Sequence, residues 1–250
     1  MIWLFVASSW ATGPCPSGIV NTNVAGNPTV PPMLQVVATH AYREPPRATA
    51  RFLQDDVLLE EVEVEWFDSY LQLGVTRPLP AGPLAMELVG VDASGVEDGL
   101  YALTVDPAAS GRELEAPYLE RPVQRREAET PYGGLEYIET RWSEVDGATH
   151  YEVEVANDVR DFSGPHTAVA FGTRMLVGAG ICEPTFPGYD PAERYALRVR
   201  AVGLEGQVSR WSEPLPAGRD ALYAVGCATT GPFGPSLALA VLLGLLTRRR

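Results

Sequence analysis

Three histidines, three cysteines and two acidic stretches are the side chains of this 250-residue chain whose chemistry could reach beyond scaffolding. No two of His40, His150 and His166 lie at a spacing that makes a metal site on one element, and each is expected in a loop or at the surface. Cys15, Cys182 and Cys227 are scattered and lack the short paired spacing of a zinc site, and the connectivity of any disulfide among them cannot be read from spacing. Glu60, Glu61, Glu63 and Glu65 crowd one short segment; the expected role is a solvated strand face, not a cation site or a pair of working carboxylates. Asp92, Ser94, Glu97 and Asp98 make an acidic turn with oxygens of the kind Ca²⁺ takes, but without EF-hand spacing. No nucleophile elbow, zinc-protease helix, phosphate-cradling loop or dinucleotide fingerprint occurs. The chain therefore reads as non-enzymatic, with no catalytic residue, no cofactor and no metal ligand expected.

Composition narrows the class. Hydrophobic residues at 46% and charged residues at 20% fit a folded body, and the length suits two ordinary domains. Gly 24 and Pro 22, without a periodic glycine, favour a turn-rich β protein. A formal net charge of -13 opposes a nucleic-acid partner, because phosphate would be repelled. All 19 basic residues are arginine, which coding bias in a GC-rich genome accounts for.

Both ends carry targeting signals. Residues 1–11, MIWLFVASSWA, read as the apolar core and small-residue cleavage site of a signal peptide without the usual positive leader, as a start codon placed too far downstream would leave it. A proline directly before Cys15 breaks the lipoprotein pattern. At the other end, Gly226-Cys227 is followed by a Pro/Gly-containing spacer, then Leu237 to Leu246, then Arg248, Arg249 and Arg250. From Pro232 the weakly polar stretch is about 16 residues, or about 24 Å of helix, short of the roughly 20 residues that span a bilayer comfortably. The terminal arginines belong on the cytoplasmic side, leaving the body outside.

Order, spacing and terminal position in residues 225–250 resemble the MYXO-CTERM sorting tail of myxobacteria and their relatives. The resemblance implies that Cys227 is the processing and anchoring residue, that a sorting protease acts near it, and that the helix is removed after export. It also implies that Cys227 is not available for a disulfide, which leaves Cys15 and Cys182 as the pair a bridge would join. The spacer from Ala228 to Ser236 is longer than in a compact tail.

Between the ends, alternation with a period of two dominates. Tyr151, Val153 and Val155 face inward with Glu152 and Glu154 outward, and residues 195–202 repeat the pattern. Trp142, Tyr151, Tyr195 and the Val199-Arg200-Ala201 run, with Tyr189 ahead of Pro191, resemble a fibronectin type III domain over residues 118–224. The middle segment, Phe162 to Cys182, fits that pattern poorly and is expected to hold a longer loop. Trp211-Ser212 resembles the tryptophan-serine element of cytokine-receptor sandwiches, which implies arginine stacking on Trp211 with Arg198, Arg200 and Arg210 as available partners. In the first half, Thr29 to Ala38, Val57 to Phe67, Leu84 to Val91 and Gly99 to Val105 read as strands, which predicts an immunoglobulin-like sandwich over 26–112 joined to the second through residues 111–122.

The resulting expectation is an all-β protein: two tandem β-sandwich domains, immunoglobulin-like and then fibronectin type III-like, plus a short C-terminal hydrophobic helix. Functionally it is an exported cell-surface protein of a myxobacterium-like bacterium, an adhesion or interaction module for a surface protein or glycan. The alternatives are a structural envelope spacer and an accessory module of a surface hydrolase system.

Overall fold

The computed structural model describes residues 19–25, 27–40, 46–67, 69–91, 100–109, 111–127, 135–157, 161–178, 189–190 and 192–218. Residues 1–11, Cys15, Cys182, the turn holding Asp92, Ser94, Glu97 and Asp98, and the whole tail with Gly226, Cys227, Arg248, Arg249 and Arg250 lie outside the described residues. No helix among the described residues is long and apolar enough to cross a membrane.

The first half builds two facing sheets from nine strands. These are β1 (Ile19–Thr22), β2 (Thr29–Val30), β3 (Gln35–His40), β4 (Thr49–Gln54), β5 (Val57–Glu63), β6 (Glu65–Trp66), β7 (Tyr70–Gly74), β8 (Gly82–Val89) and β9 (Leu100–Val105). One sheet runs β1-β3-β7-β6 and the other β2-β9-β8-β4-β5, with β2 parallel to β9 and the other pairs antiparallel. This is an immunoglobulin-like arrangement in which the leading segment serves both sheets. Prolines cause the change: Pro28 and Pro31 bracket β2 and cannot donate to a ladder, so the chain leaves the first sheet and joins the second for only two residues. β1 starts ahead of residue 26, and its Ile19 is buried in the same core.

The stretch from Val57 to Phe67 departs from the single strand its alternation predicts. β5 pairs with β4 in one sheet and β6 with β7 in the other, with the break at Val64, whose N–H donates to the Ala48 carbonyl at 3.1 Å. The faces nevertheless hold. Val62, Val64 and Trp66 pack on the core, while Glu61, Glu63 and Glu65 are exposed. A strand turning a sheet corner keeps its period of two while changing partners, and periodicity records only the former. Phe52 on β4 sits fully buried at the centre of this core, among Val36, Leu71, Met86 and Leu103.

The second half adds β10 (Val123–Glu127), β11 (Leu135–Arg141), β12 (His150–Ala156), β13 (His166–Ala170), β14 (Arg174–Val177), β15 (Arg194–Val202) and β16 (Leu215–Gly218). Its sheets run β10-β11-β14 and β13-β12-β15-β16, the three-plus-four division of a fibronectin type III-like sandwich. Ile138, Trp142, Tyr151, Val153, Val155, Leu197 and Val199 fill the space between them. The Tyr195 hydroxyl donates to the Asp190 carbonyl at 3.1 Å and accepts from the Asp190 N–H at 2.8 Å, tying the entry loop to β15. Within the stretch from Phe162 to Cys182, residues 166–177 form two strands, β13 and β14, joined by only three residues, Phe171 to Thr173, and residues 179–182 lie outside the described residues. Leu114 and Leu119 join the second core, and Leu119 bridges to Trp142, so part of the connecting stretch belongs to the second sandwich.

A turn of the second sandwich meets the first. The Leu204 carbonyl accepts from the Gln35 N–H at 2.7 Å, and the Leu204 side chain packs on the first core. Gly206 in this turn (φ +76) takes a left-handed backbone conformation that side chains with a Cβ rarely adopt, and it lies against the Gln35 side chain.

Candidate functional site

On the β13-β12-β15-β16 sheet, the side chains that alternate outward carry the charge. Register sets Glu152 opposite Arg200 and Glu154 opposite Arg198. Each guanidinium gives Nε and one Nη to a single carboxylate oxygen, at 2.6 and 2.5 Å in both pairs. The four side chains are only 13–28% exposed, so the pairs are tighter than ordinary surface ion pairs. Aromatic rings cover them: Arg198 lies between Phe162 (4.2 Å) and Trp211 (4.5 Å), and Arg200 stacks on the same Trp211 at 4.5 Å. The result is a ladder, Phe162–Arg198–Trp211–Arg200, whose cation–π contacts are each worth about 0.5–1 kcal/mol. Arg210 is exposed and is not one of the stacked guanidiniums.

Two hydroxyls hold the tryptophan segment against β15. Ser209 Oγ accepts the Ala201 N–H at 2.9 Å and Ser212 Oγ accepts the Val199 N–H at 3.1 Å, while the two serine N–H groups donate to the carbonyls of the same residues. The segment thus replaces missing ladder carbonyls with side-chain oxygens, a role for Ser209 that period and composition do not reveal. Ser212→Ala would leave the buried Val199 N–H without its acceptor, and a loss of about 1–3 kcal/mol is expected from denaturant midpoints. Trp211→Ala should cost about 2 kcal/mol by the same measurement; a wild-type midpoint for either variant would remove the ladder from the list of what stabilises this sheet.

The opposite sheet presents a different arrangement. Glu139 on β11, 7% exposed, is met by three arginines from three strands. Arg125 Nε reaches Oε2 at 3.0 Å; Arg141 reaches Oε1 through Nε at 2.9 Å and Nη2 at 2.6 Å; Arg174 Nε reaches Oε1 at 3.0 Å. Hydrogen bonds from Arg141, then from Arg125, hold this carboxyl below the usual glutamate range. A shallow groove of about 290 Å³ lies beside it, lined by Glu120, Arg121, Val123, Arg125, Glu139 and Arg141.

The histidines correct an expectation. All three are in strands: His40 closes β3, His150 opens β12 and His166 opens β13. His40 and His150 are 5% and 1% exposed, respectively. His40 Nε2 meets the Phe67 carbonyl at 2.9 Å and its ring packs edge-on to Trp66. His150 Nδ1 lies 3.1 Å from Thr149 Oγ1, with Phe171 at its ring, and burial pushes its pKa down to about 4. His40 and His150 each have an aromatic neighbour and a polar partner, which suits a strand end closing a core. The glutamates of β5 and β6 do not converge either: Glu60 bonds Thr76, Glu61 pairs with Arg51, and Glu63 and Glu65 are exposed. Among the described residues no group of three or more His, Cys, Asp and Glu side chains is placed to hold a metal ion.

No family model matches the chain, and no curated protein matches it. Solved structures similar to it include a cytokine receptor complex (19% identity, 74% of this chain and 91% of that one, TM-score 0.29). Another is a β-1,2-glucanase from Parabacteroides distasonis (17% identity, 82% of this chain and 29% of that one, TM-score 0.37). A third is chicken CNTN1 FN1-FN3 domains (10% identity, 76% of this chain and 60% of that one, TM-score 0.29). Scores this low carry no argument about function. The chain itself is an all-β protein of two β-sandwiches, immunoglobulin-like and then fibronectin type III-like.

Proposed function

We propose that this chain is a non-catalytic interaction module, exported and displayed on the surface of a bacterial cell. The observation that carries the reading is that one outer face of the second sandwich presents three half-exposed arginines held in place around Glu139, as a surface made for contact would. Display rests on the sequence: the apolar residues 1–11 for export, and Gly226-Cys227, Leu237 to Leu246 and Arg248 to Arg250 for membrane delivery and processing of a MYXO-CTERM type. Fractionation of cells expressing the full chain with and without Cys227→Ala tests it. The wild type should be retained at the surface with the tail removed, and the variant should lose both the retention and the mass change. Identical retention and mass for the two would overturn the processing role of Cys227.

The docked turn at Leu204 favours a second reading, a spacer that holds other proteins away from the envelope, because such a contact restrains the two sandwiches relative to one another. Failure of every protein and glycan on a binding array, with surface retention intact, would favour the spacer.

A further inference from the structure

We propose that the outer face of β10-β11-β14 binds an acidic polysaccharide, whose carboxylate or sulfate groups are taken by Arg125, Arg141 and Arg174 around Glu139. The inference rests on the interaction-module reading and names the ligand class that this face suits.

Charge comes first. The chain carries a net charge of -13, yet at this face three guanidiniums surround a single carboxylate. One arginine neutralises one glutamate. The second and third add mutual repulsion that an arriving anion relieves. Including the groove residues Arg121 and Glu120, four cations face two anions, a local balance of +2.

Geometry comes second. Glu139 is almost fully covered and both of its oxygens are engaged, so it acts as a post that orients the arginines. The arginine side chains are themselves 53%, 56% and 54% exposed. A guanidinium has five N–H donors, and Glu139 takes at most two from each, so the fork that matches a carboxylate or sulfate still has donors on its solvent side.

Shape decides the class. Arg141 lies opposite Arg174 and Arg125 opposite Tyr137, yet all three guanidiniums converge on Glu139, so the cluster presents one concentrated positive point. The groove beside it carries a further exposed cation, Arg121, so an extended ligand with repeated anionic groups is met at more than one point along the face, as one small ion is not. The face is an open pleated surface with Val123 and Leu176 flanking Glu139. A peptide partner would want a desolvated pocket for an anchoring side chain, whereas a chain of sugar rings lies flat on such a surface.

The test is calorimetric titration of the full chain with dextran sulfate and with polygalacturonate, alongside neutral dextran and poly-glutamate. Both acidic glycans should bind, more weakly as salt rises, and neutral dextran should not. Arg125→Gln/Arg141→Gln/Arg174→Gln should abolish binding. Because that variant strips Glu139 of its partners, Arg125→Lys/Arg141→Lys/Arg174→Lys serves beside it: charge is kept, the fork is lost, and affinity should fall about ten-fold. Arg51→Gln/Arg112→Gln/Arg210→Gln makes the same change in net charge elsewhere and should bind within about two-fold of wild type. An equal loss in that control, or poly-glutamate binding as tightly as the glycans, or no glycan binding by the folded wild type, would overturn the proposal. Binding of purified protein and retention on cells are separate readouts. Retention without glycan binding sinks this site alone, and glycan binding without retention sinks the display alone.

Discussion

Replacing Trp142 by alanine is expected to destabilise the second sandwich by about 3–5 kcal/mol, the largest effect of any single substitution considered for this chain. Trp142 is 3% exposed, and its ring packs against Tyr151 at a centroid distance of 5.5 Å. Its backbone N–H donates to the Thr173 carbonyl at 3.0 Å, and Leu119 bridges to it from the segment before β10. Truncation therefore opens a cavity where β11, β14 and the entering segment meet. At about 4–8 °C per kcal/mol for a domain of this size, the second unfolding transition should fall by at least about 12 °C. The first sandwich has its own core around Phe52, so its transition should move little. Trp142→Phe keeps most of the volume and should cost far less. Differential scanning calorimetry of the full chain separates these outcomes, and an unchanged upper transition with a lowered lower one, or the reverse, assigns each to its sandwich. If Trp142→Ala melts as the wild type does, this core is not organised around that ring.

The second large effect is acid sensitivity through His150. Its folded-state pKa is pushed down to about 4 because burial disfavours the imidazolium, against an ordinary histidine value of 6.5. Above pH 6.5 the ring is neutral in both states and contributes nothing to the pH dependence. Below that, the unfolded chain takes up a proton that the folded chain refuses, so stability falls as the pH drops towards 4 and the loss then levels off. At 1.36 kcal/mol for each pH unit between the two values, the full loss is about 3 kcal/mol. His150→Leu should flatten the curve of denaturant midpoint against pH between about 6.5 and 4. Identical slopes for wild type and variant would show that another group carries the acid response. Glu139 works at the lower end of the same range with the opposite chemistry. Arg141 and Arg125 stabilise its anion, so its contribution is present above the ordinary glutamate value and fades as pH falls below it. Subtracting the His150 variant isolates that part.

The outward and inward faces of the strands were legible from residue order. Alternation placed Tyr151, Val153 and Val155 in the core with Glu152 and Glu154 outside, and it placed Glu61, Glu63 and Glu65 on a solvated face. The stacking of arginine on Trp211 was implied only by the resemblance of Trp211-Ser212 to the tryptophan-serine element of cytokine-receptor sandwiches, which left Arg198, Arg200 and Arg210 open as partners. Other features were not. Chain position suggested loops for His40 and His150, but strand pairing and neighbouring rings bury both. The acidic run from Glu60 to Glu65 was the conspicuous charge cluster, whereas the carboxylate that gathers cations is Glu139, one of several unremarkable glutamates in the chain.

What the sequence determined by itself is therefore the class of the molecule: β-rich, turn-punctuated and net acidic. Tertiary structure alone decided which residues meet. Arg125, Glu139 and Arg174 come together across β10, β11 and β14 only because the strand registers set them side by side, and the stretch after Val57 divides between two sheets only because its partners lie on different sides of the core. A period of two is a local consequence of backbone geometry and can be read from neighbours in the chain. The partner of a strand is fixed by contacts between distant segments and by how two sheets share one core, and no short window of residues holds that information.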